Sequence, residues 1–150
     1  MENKNLITYG NRTDMAMKTW VQIVKTHNRF SNKELKYFSE HNLTFNQFKV
    51  LEVLYHRGDL NIGSITKLTL STPGNITVVI KNLKRDGWIT SIASPEDKRA
   101  NILSITQKGK DKINSMFPKH AQNIYDYMSV LDDKELSTLY GLLKKVYKAE

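Results

Sequence analysis

The stretch Ile62-Gly63-Ser64-Ile65-Thr66-Lys67-Leu68-Thr69-Leu70-Ser71-Thr72-Pro73-Gly74-Asn75-Ile76-Thr77-Val78-Val79-Ile80-Lys81-Asn82-Leu83-Lys84-Arg85 decides how the rest of the chain is read. Ile62, Ile65 and Leu68 recur every three residues, which predicts a short helix over 62–68. Ser71-Thr72-Pro73 then reads as a second start. A Ser or Thr hydroxyl accepts an orphan amide hydrogen of a first turn, and a proline there forgoes no hydrogen bond. A further helix runs to about Asp86, where Gly87 stops it. Wound at about 100° per residue, it carries Ile76, Val79, Ile80 and Leu83 on one face. Gly74, Thr77, Val78, Lys81 and Arg85 fall on the opposite face, with Asn75 and Asn82 at its flanks. The first face is a core face. The second offers cations, a hydroxyl and an exposed β-branched side chain, with a glycine at its tip where a Cβ would obstruct close approach.

On the C-terminal side, Trp88 to Ala93 is rich in β-branched and aromatic residues, Ser94 to Arg99 is a polar turn, and Ala100 to Ile105 is apolar again, a β-hairpin pattern. Thr106 is a suitable N-cap for a helix through about Met128, and Asp132 with Glu135 opens another that carries Leu136, Leu139, Leu142, Leu143 and Val146. On the N-terminal side, Thr44 with Gln47 has the capping-box spacing, and Phe48, Leu51, Leu54 and Tyr55 form the apolar stripe of a helix ending at Gly58. Before it, a long and only partly apolar helix runs from about Asp14 to Ser39, with Trp20, Val24, His27, Phe30 and Phe38 at three- and four-residue steps. The fold class is mainly α with a small β-hairpin wing. In it a winged helix-turn-helix over about 44–106 is flanked by helices over about 1–40 and 107–150, within a single domain.

A chain of 150 residues with 39% apolar and 25% charged side chains has the composition of one globular domain. It has no cysteine, which removes disulfides, thiolate zinc sites and thiol redox sensing. His27, His41, His56 and His120 are too scattered for metal spacing, and no phosphate loop or nucleophile elbow appears, so neither metal, cofactor nor enzymatic activity is expected. No run approaches the roughly 18 apolar residues of a membrane span, and Met1 to Leu6 is too polar for a secretory signal, so a cytoplasmic location is expected. The net charge of +8 suits a polyanionic partner, nucleic acid or an anionic surface. Its distribution is uneven: residues 61–112 carry nine basic and four acidic side chains, whereas 113–150 carry five of each. The middle of the chain is where a phosphate backbone would bind, and the neutral C-terminal region suits protein contact.

Short helix, tight turn, helix with a polar outer face and hairpin with a basic tip together make a helix-turn-helix with a wing. Asn and Thr hydrogen-bond base edges, Val78 matches a thymine methyl, and Lys81 or Arg85 matches phosphate or guanine. At the wing tip Asp97 is placed to orient Arg99 toward a narrow minor groove. The expected DNA-contacting set is Ser64, Lys67, Ser71, Thr72, Gly74, Asn75, Thr77, Val78, Lys81, Arg85, Asp97, Lys98 and Arg99. A solvated helix face would show the same residues, and a winged-helix module serving an acidic protein partner without sequence-specific DNA binding is the alternative function.

Five pieces, Leu43 to Leu51, Thr72 to Thr77, Leu83 to Ile89, Asp97 to Arg99 and Ile105 to Gly109, in this order and spacing, resemble the MarR family of bacterial transcription regulators. The resemblance implies a homodimer whose first and last two helices interlock, with DNA across both recognition helices and Arg99 in the minor groove. It also implies an effector bound between the dimerisation helices and the winged-helix part. The residues themselves support pairing. Ile113, Met116, Phe117, Ala121, Ile124, Tyr125 and Met128, with the leucine-rich last helix, exceed what a small winged helix needs to cover itself; a helical cap folded back on a monomer is the alternative. A symmetric pair would space recognition helices about 34 Å apart, on an inverted repeat. Trp20, His27, Phe30 and Phe48 are candidates to line a pocket for a small aromatic or phenolic effector, although core and dimer packing is the reading their residue types favour. The function expected is a homodimeric repressor released by such a molecule.

Overall fold

The structure, a computed structural model of the single chain, describes residues 7–93 and 101–149, without the side chains of residues 93 and 101. Its elements in order are α1 (Asn11–Glu40), α2 (Phe45–Arg57), β1 (Leu60–Asn61), α3 (Ile62–Leu68), α4 (Pro73–Arg85), β2 (Ile89–Ala93), β3 (Asn101–Ile105), α5 (Gln107–Met128) and α6 (Asp133–Tyr147). The chain divides into two compact units, residues 1–42 and 43–150. None of the described helices is long and apolar enough to cross a membrane.

The first unit is essentially α1. Gly10 at its N-cap supplies no side chain to the first turn. Instead Asp14 accepts from the Thr8 hydroxyl and from the Tyr9 amide, and these bonds hold its carboxyl below the usual range. The helix ends at Glu40 with His41 as C-cap, and Asn42 follows with a left-handed φ of 56°, a conformation asparagine tolerates.

The second unit is built on α2. The expected capping box is present: the Gln47 amide donates to Thr44 Oγ1 (3.2 Å) and the Thr44 amide to Gln47 Oε1 (2.9 Å). Phe48, Val50, Leu51 and Leu54 are buried, together with Ile65 of α3, Ile76, Val79, Ile80 and Leu83 of α4, and Ile113 and Met116 of α5. The sheet order is β1-β3-β2, antiparallel throughout, with Ile89 opposite Ile105 and Leu60 opposite Leu103. This is a winged helix. Pro118 lies inside α5, which continues through it although proline leaves the Asn114 carbonyl without its helical donor.

The end of α3 carries local strain. The Leu70 amide donates to Lys67 O and the Ser71 amide to Thr66 O (3.1 Å), a Schellman closure that forces Leu70 to a φ of 52°. Glycine is the residue that favours this geometry, and Leu70 is 77% exposed, so its side chain contributes little packing in return. Leu70→Gly is therefore expected to raise stability by up to about 1 kcal/mol, read by urea denaturation; a loss of stability would refute the strain.

Candidate nucleic-acid interface

α4 forms where expected, with Thr72 rather than Ser71 as N-cap: its side chain accepts from the Asn75 amide (3.4 Å) and Pro73 occupies the first turn. Ile76, Val79, Ile80 and Leu83 are buried, so the opposite face is outward by necessity. Thr72, Gly74, Asn75, Thr77, Val78, Lys81 and Arg85 are all exposed, as is Lys67 of α3, while Ser64 and Ser71 are half-buried. Asp97, Lys98 and Arg99 lie outside the described residues.

Exposure does not leave each group equally available. Thr77 donates its hydroxyl to the Pro73 carbonyl (2.9 Å), so as it stands it offers a partner an acceptor and a methyl group but no proton. Arg85 forms an ion pair with its neighbour Asp86, Nε to Oδ1 at 2.9 Å, and the hydrogen bond with the adjacent charge raises the guanidinium's pKa. Reaching a phosphate would require it to leave that carboxylate. Lys67, Asn75 and Lys81 have no side-chain hydrogen bond or ion pair among the described residues, which makes them the least committed polar groups of the set. Val78, 58% exposed, is the apolar element at the centre of the face.

Part of the basic excess of residues 61–112 is engaged by the protein's own groups. Lys108 donates to the Asp86 carbonyl (2.8 Å), and Lys112 lies 5.9 Å from the centre of the Trp88 ring, its pKa lowered by burial. Lys49 of α2 donates to the Thr69 carbonyl (2.7 Å) at the end of α3. Its role was not read from the sequence, where nothing at Lys49 signals a carbonyl 20 residues on.

The aromatic set on α1 and α2 is placed as follows. Trp20 and His27, two helical turns apart, are exposed on α1, Phe30 is half-buried there, and Phe48, 1% exposed, belongs to the core of the second unit with its ring edge-on to His120 at 4.8 Å. Among the described residues no cluster of three or more His, Asp or Glu side chains could hold a metal ion.

The sequence model of the MarR family matches residues 43–100. The chain is 32% identical over 134 residues to the HTH-type transcriptional regulator MhqR of Bacillus subtilis, covering 89% of this chain and 92% of that protein. It is 24% identical over 143 residues to the HTH-type transcriptional repressor YetL of the same organism, covering 94% and 86%. A MarR variant from E. coli, solved in complex with operator DNA, matches with a TM-score of 0.80 at 22% identity over 91% of this chain and 99% of that one. Bordetella bronchiseptica BpsR, whose DNA binding is regulated by 6-hydroxynicotinic acid, matches at 0.79 and 22% over 86% and 92%. These two likenesses are of fold.

Proposed function

The chain belongs to the MarR family of transcriptional regulators, and from that premise we propose that it is a homodimeric, sequence-specific repressor that reads an inverted repeat through α4. The observation that carries the reading is the outward face of α4, where Asn75, Val78 and Lys81 stand exposed beside Thr77 above a fully apolar inner face. A helix that buries one face and presents short polar groups, a methyl pair and a cation on the other fits a major groove. In the first turn of α4 Pro73 has no N–H and the Asn75 amide is taken by Thr72 Oγ1, which leaves the Gly74 amide as a donor for phosphate.

Pairing is supported by α6. It has no buried residue, yet Leu136, Leu139, Leu142, Leu143 and Val146 share it, so an apolar face stays exposed in a single chain. A second copy covering that face would turn residues over about 1–40 and 107–150 into dimerisation helices and set the two α4 helices about 34 Å apart. A small aromatic or phenolic effector that releases DNA belongs to the same reading, supported by BpsR, whose DNA binding is regulated by 6-hydroxynicotinic acid.

The experiment is selection of duplexes from a randomised library, followed by filter binding across a salt series. The expected result is an inverted repeat bound at least about a thousandfold tighter than random duplex, with a steep salt slope. Equal affinity for all duplexes would contradict the proposal. Lys67→Ala is expected to weaken selected and random duplexes together and reduce the salt slope by about one, whereas Arg99→Ala is expected to relax sequence preference at the outer positions of the site. If both variants bind like wild type in a gel-shift titration, the docking is wrong.

A further inference from the structure

The two helices of the helix-turn-helix end in the same manner. Thr69 is the C-cap of α3 and Asp86 the C-cap of α4, and each of these carbonyls accepts from a lysine that an outer helix supplies. Lys49 Nζ of α2 lies 2.7 Å from Thr69 O, and Lys108 Nζ of α5 lies 2.8 Å from Asp86 O. We propose that Lys49 and Lys108 are positioning residues for DNA reading, cations that clamp the C-terminal ends of α3 and α4 and so fix the outward face of α4 on α2 and α5. The proposal rests on the reading of α4 as the base-reading helix.

The chemistry favours a cation at both places. A helix C-terminus carries partial negative charge on carbonyls that lack intrahelical donors, and an ammonium both neutralises the charge and supplies a donor. These are charge-assisted bonds, stronger than those between neutral groups. Lys49 is half-buried, its Nζ is 5.3 Å from the centre of the Phe45 ring, and burial lowers its pKa. An ammonium held in this way is aimed at the turn and withdrawn from a phosphate backbone. The turn it holds is closed by further bonds: the buried Thr69 hydroxyl lies 2.8 Å from Ile65 O and 2.9 Å from Ser71 Oγ, and the residue after Ser71 caps α4.

Lys108 acts within a denser latch. Three consecutive carbonyls accept from the first turn of α5: Asp86 from Lys108 Nζ, Gly87 from the Thr106 hydroxyl (2.8 Å) and Trp88 from the Thr106 amide (3.0 Å). The end of α4 and the start of α5 therefore move together. The two lysines thus hold the reading helix at its two ends, Lys49 at the turn that precedes α4 and Lys108 at the C-cap that follows it.

The test compares Lys49→Met and Lys108→Met with Lys49→Arg and Lys108→Arg, using the inverted repeat recovered from the randomised library and a random duplex. Each Met variant is expected to bind the inverted repeat about tenfold or more weakly, with affinity for random duplex and the salt slope unchanged, and Arg is expected to restore most of the loss. Without DNA, Lys49→Met is expected to speed hydrogen exchange at the Leu70 and Ser71 amides. Should Lys49→Met not fold, Lys49→Arg and the Lys108 pair carry the same comparison. A fall of about one in salt slope, with both duplexes weakened together, would make these lysines phosphate contacts and overturn the proposal. Unchanged discrimination, or unchanged exchange at the turn, would overturn it as well. A wild type that fails to discriminate between duplexes overturns the underlying DNA reading, a result distinguishable from the others because it needs no variant.

Discussion

Gly109→Ala is expected to destabilise the fold by about 3 kcal/mol, lowering the thermal midpoint by about 10 °C. A Cβ at this position would lie 2.3 Å from the Trp88 carbonyl oxygen and 2.7 Å from Ile105 Cγ1. The first obstacle is backbone and cannot rotate away. It is also the oxygen that accepts the Thr106 amide, so relieving the clash would pull α5 off the carbonyls it is latched to. Gly74→Ala is the control, since a Cβ there meets nothing within 4 Å and α4 gains a better helix former; its stability is expected to hold or rise by about 0.5–1 kcal/mol. Urea and thermal unfolding of both variants decide the matter, and a Gly109→Ala protein as stable as wild type would show that α5 is not tightly seated against Trp88.

Val78→Glu is expected to reduce affinity for the inverted repeat by about a thousandfold or more, while the free energy of unfolding stays within about 0.5 kcal/mol of wild type. The two effects separate because Val78 is 58% exposed and contributes little to the core, yet it lies at the centre of the face that would enter the groove. A carboxylate there meets the negative potential of the duplex and replaces a methyl contact with a desolvated charge. Binding equal to wild type in a filter assay would remove α4 from the interface.

Much of this architecture was legible in the sequence because its punctuation is chemical. Thr44 with Gln47, Thr106 and Asp132 with Glu135 cap the helices they were expected to cap, and Gly58 and Gly87 end theirs in positive φ. α3 spans Ile62–Leu68 as its periodicity predicts, but the periodicity overstates its burial: only Ile65 is inside, and Ile62 and Leu68 are exposed. α1 begins at Asn11 rather than near Asp14, because the Asp14 side chain organises the residues before it instead of starting the helix. β1 was not foreseen. Two residues cannot show alternation, and Leu60–Asn61 is a strand only because β3 lies beside it.

The candidate site was legible as a face but not as a set of available groups. Helical spacing alone puts Thr77, Lys81 and Arg85 outward, whereas the engagement of the Thr77 hydroxyl by Pro73 and of Arg85 by Asp86 depends on rotamers that no spacing encodes. The clamping role of Lys49 was invisible for a related reason. Its acceptor lies in another element, and a lysine between Phe48 and Val50 looks like any polar residue on the outer side of an amphipathic helix. Lys108 lies in the piece Ile105 to Gly109, whose physical content is a cap, a clamp and a glycine that must lack a side chain.

The claim that the outer face of α4 enters a DNA groove is tested most directly by a cleavage label at the edge of that face. The chain has no cysteine, so Lys84→Cys, exposed on α4 and outside the residues read as contacting DNA, gives a single attachment point for a hydroxyl-radical-generating chelate, with Lys134→Cys on α6 as the reference. On the inverted repeat, the Lys84 label is expected to cut at two positions about 34 Å apart, one in each half-site, and the Lys134 label to leave no such pattern. Diffuse cutting by both labels, or discrete cutting from position 134 alone, would contradict the account.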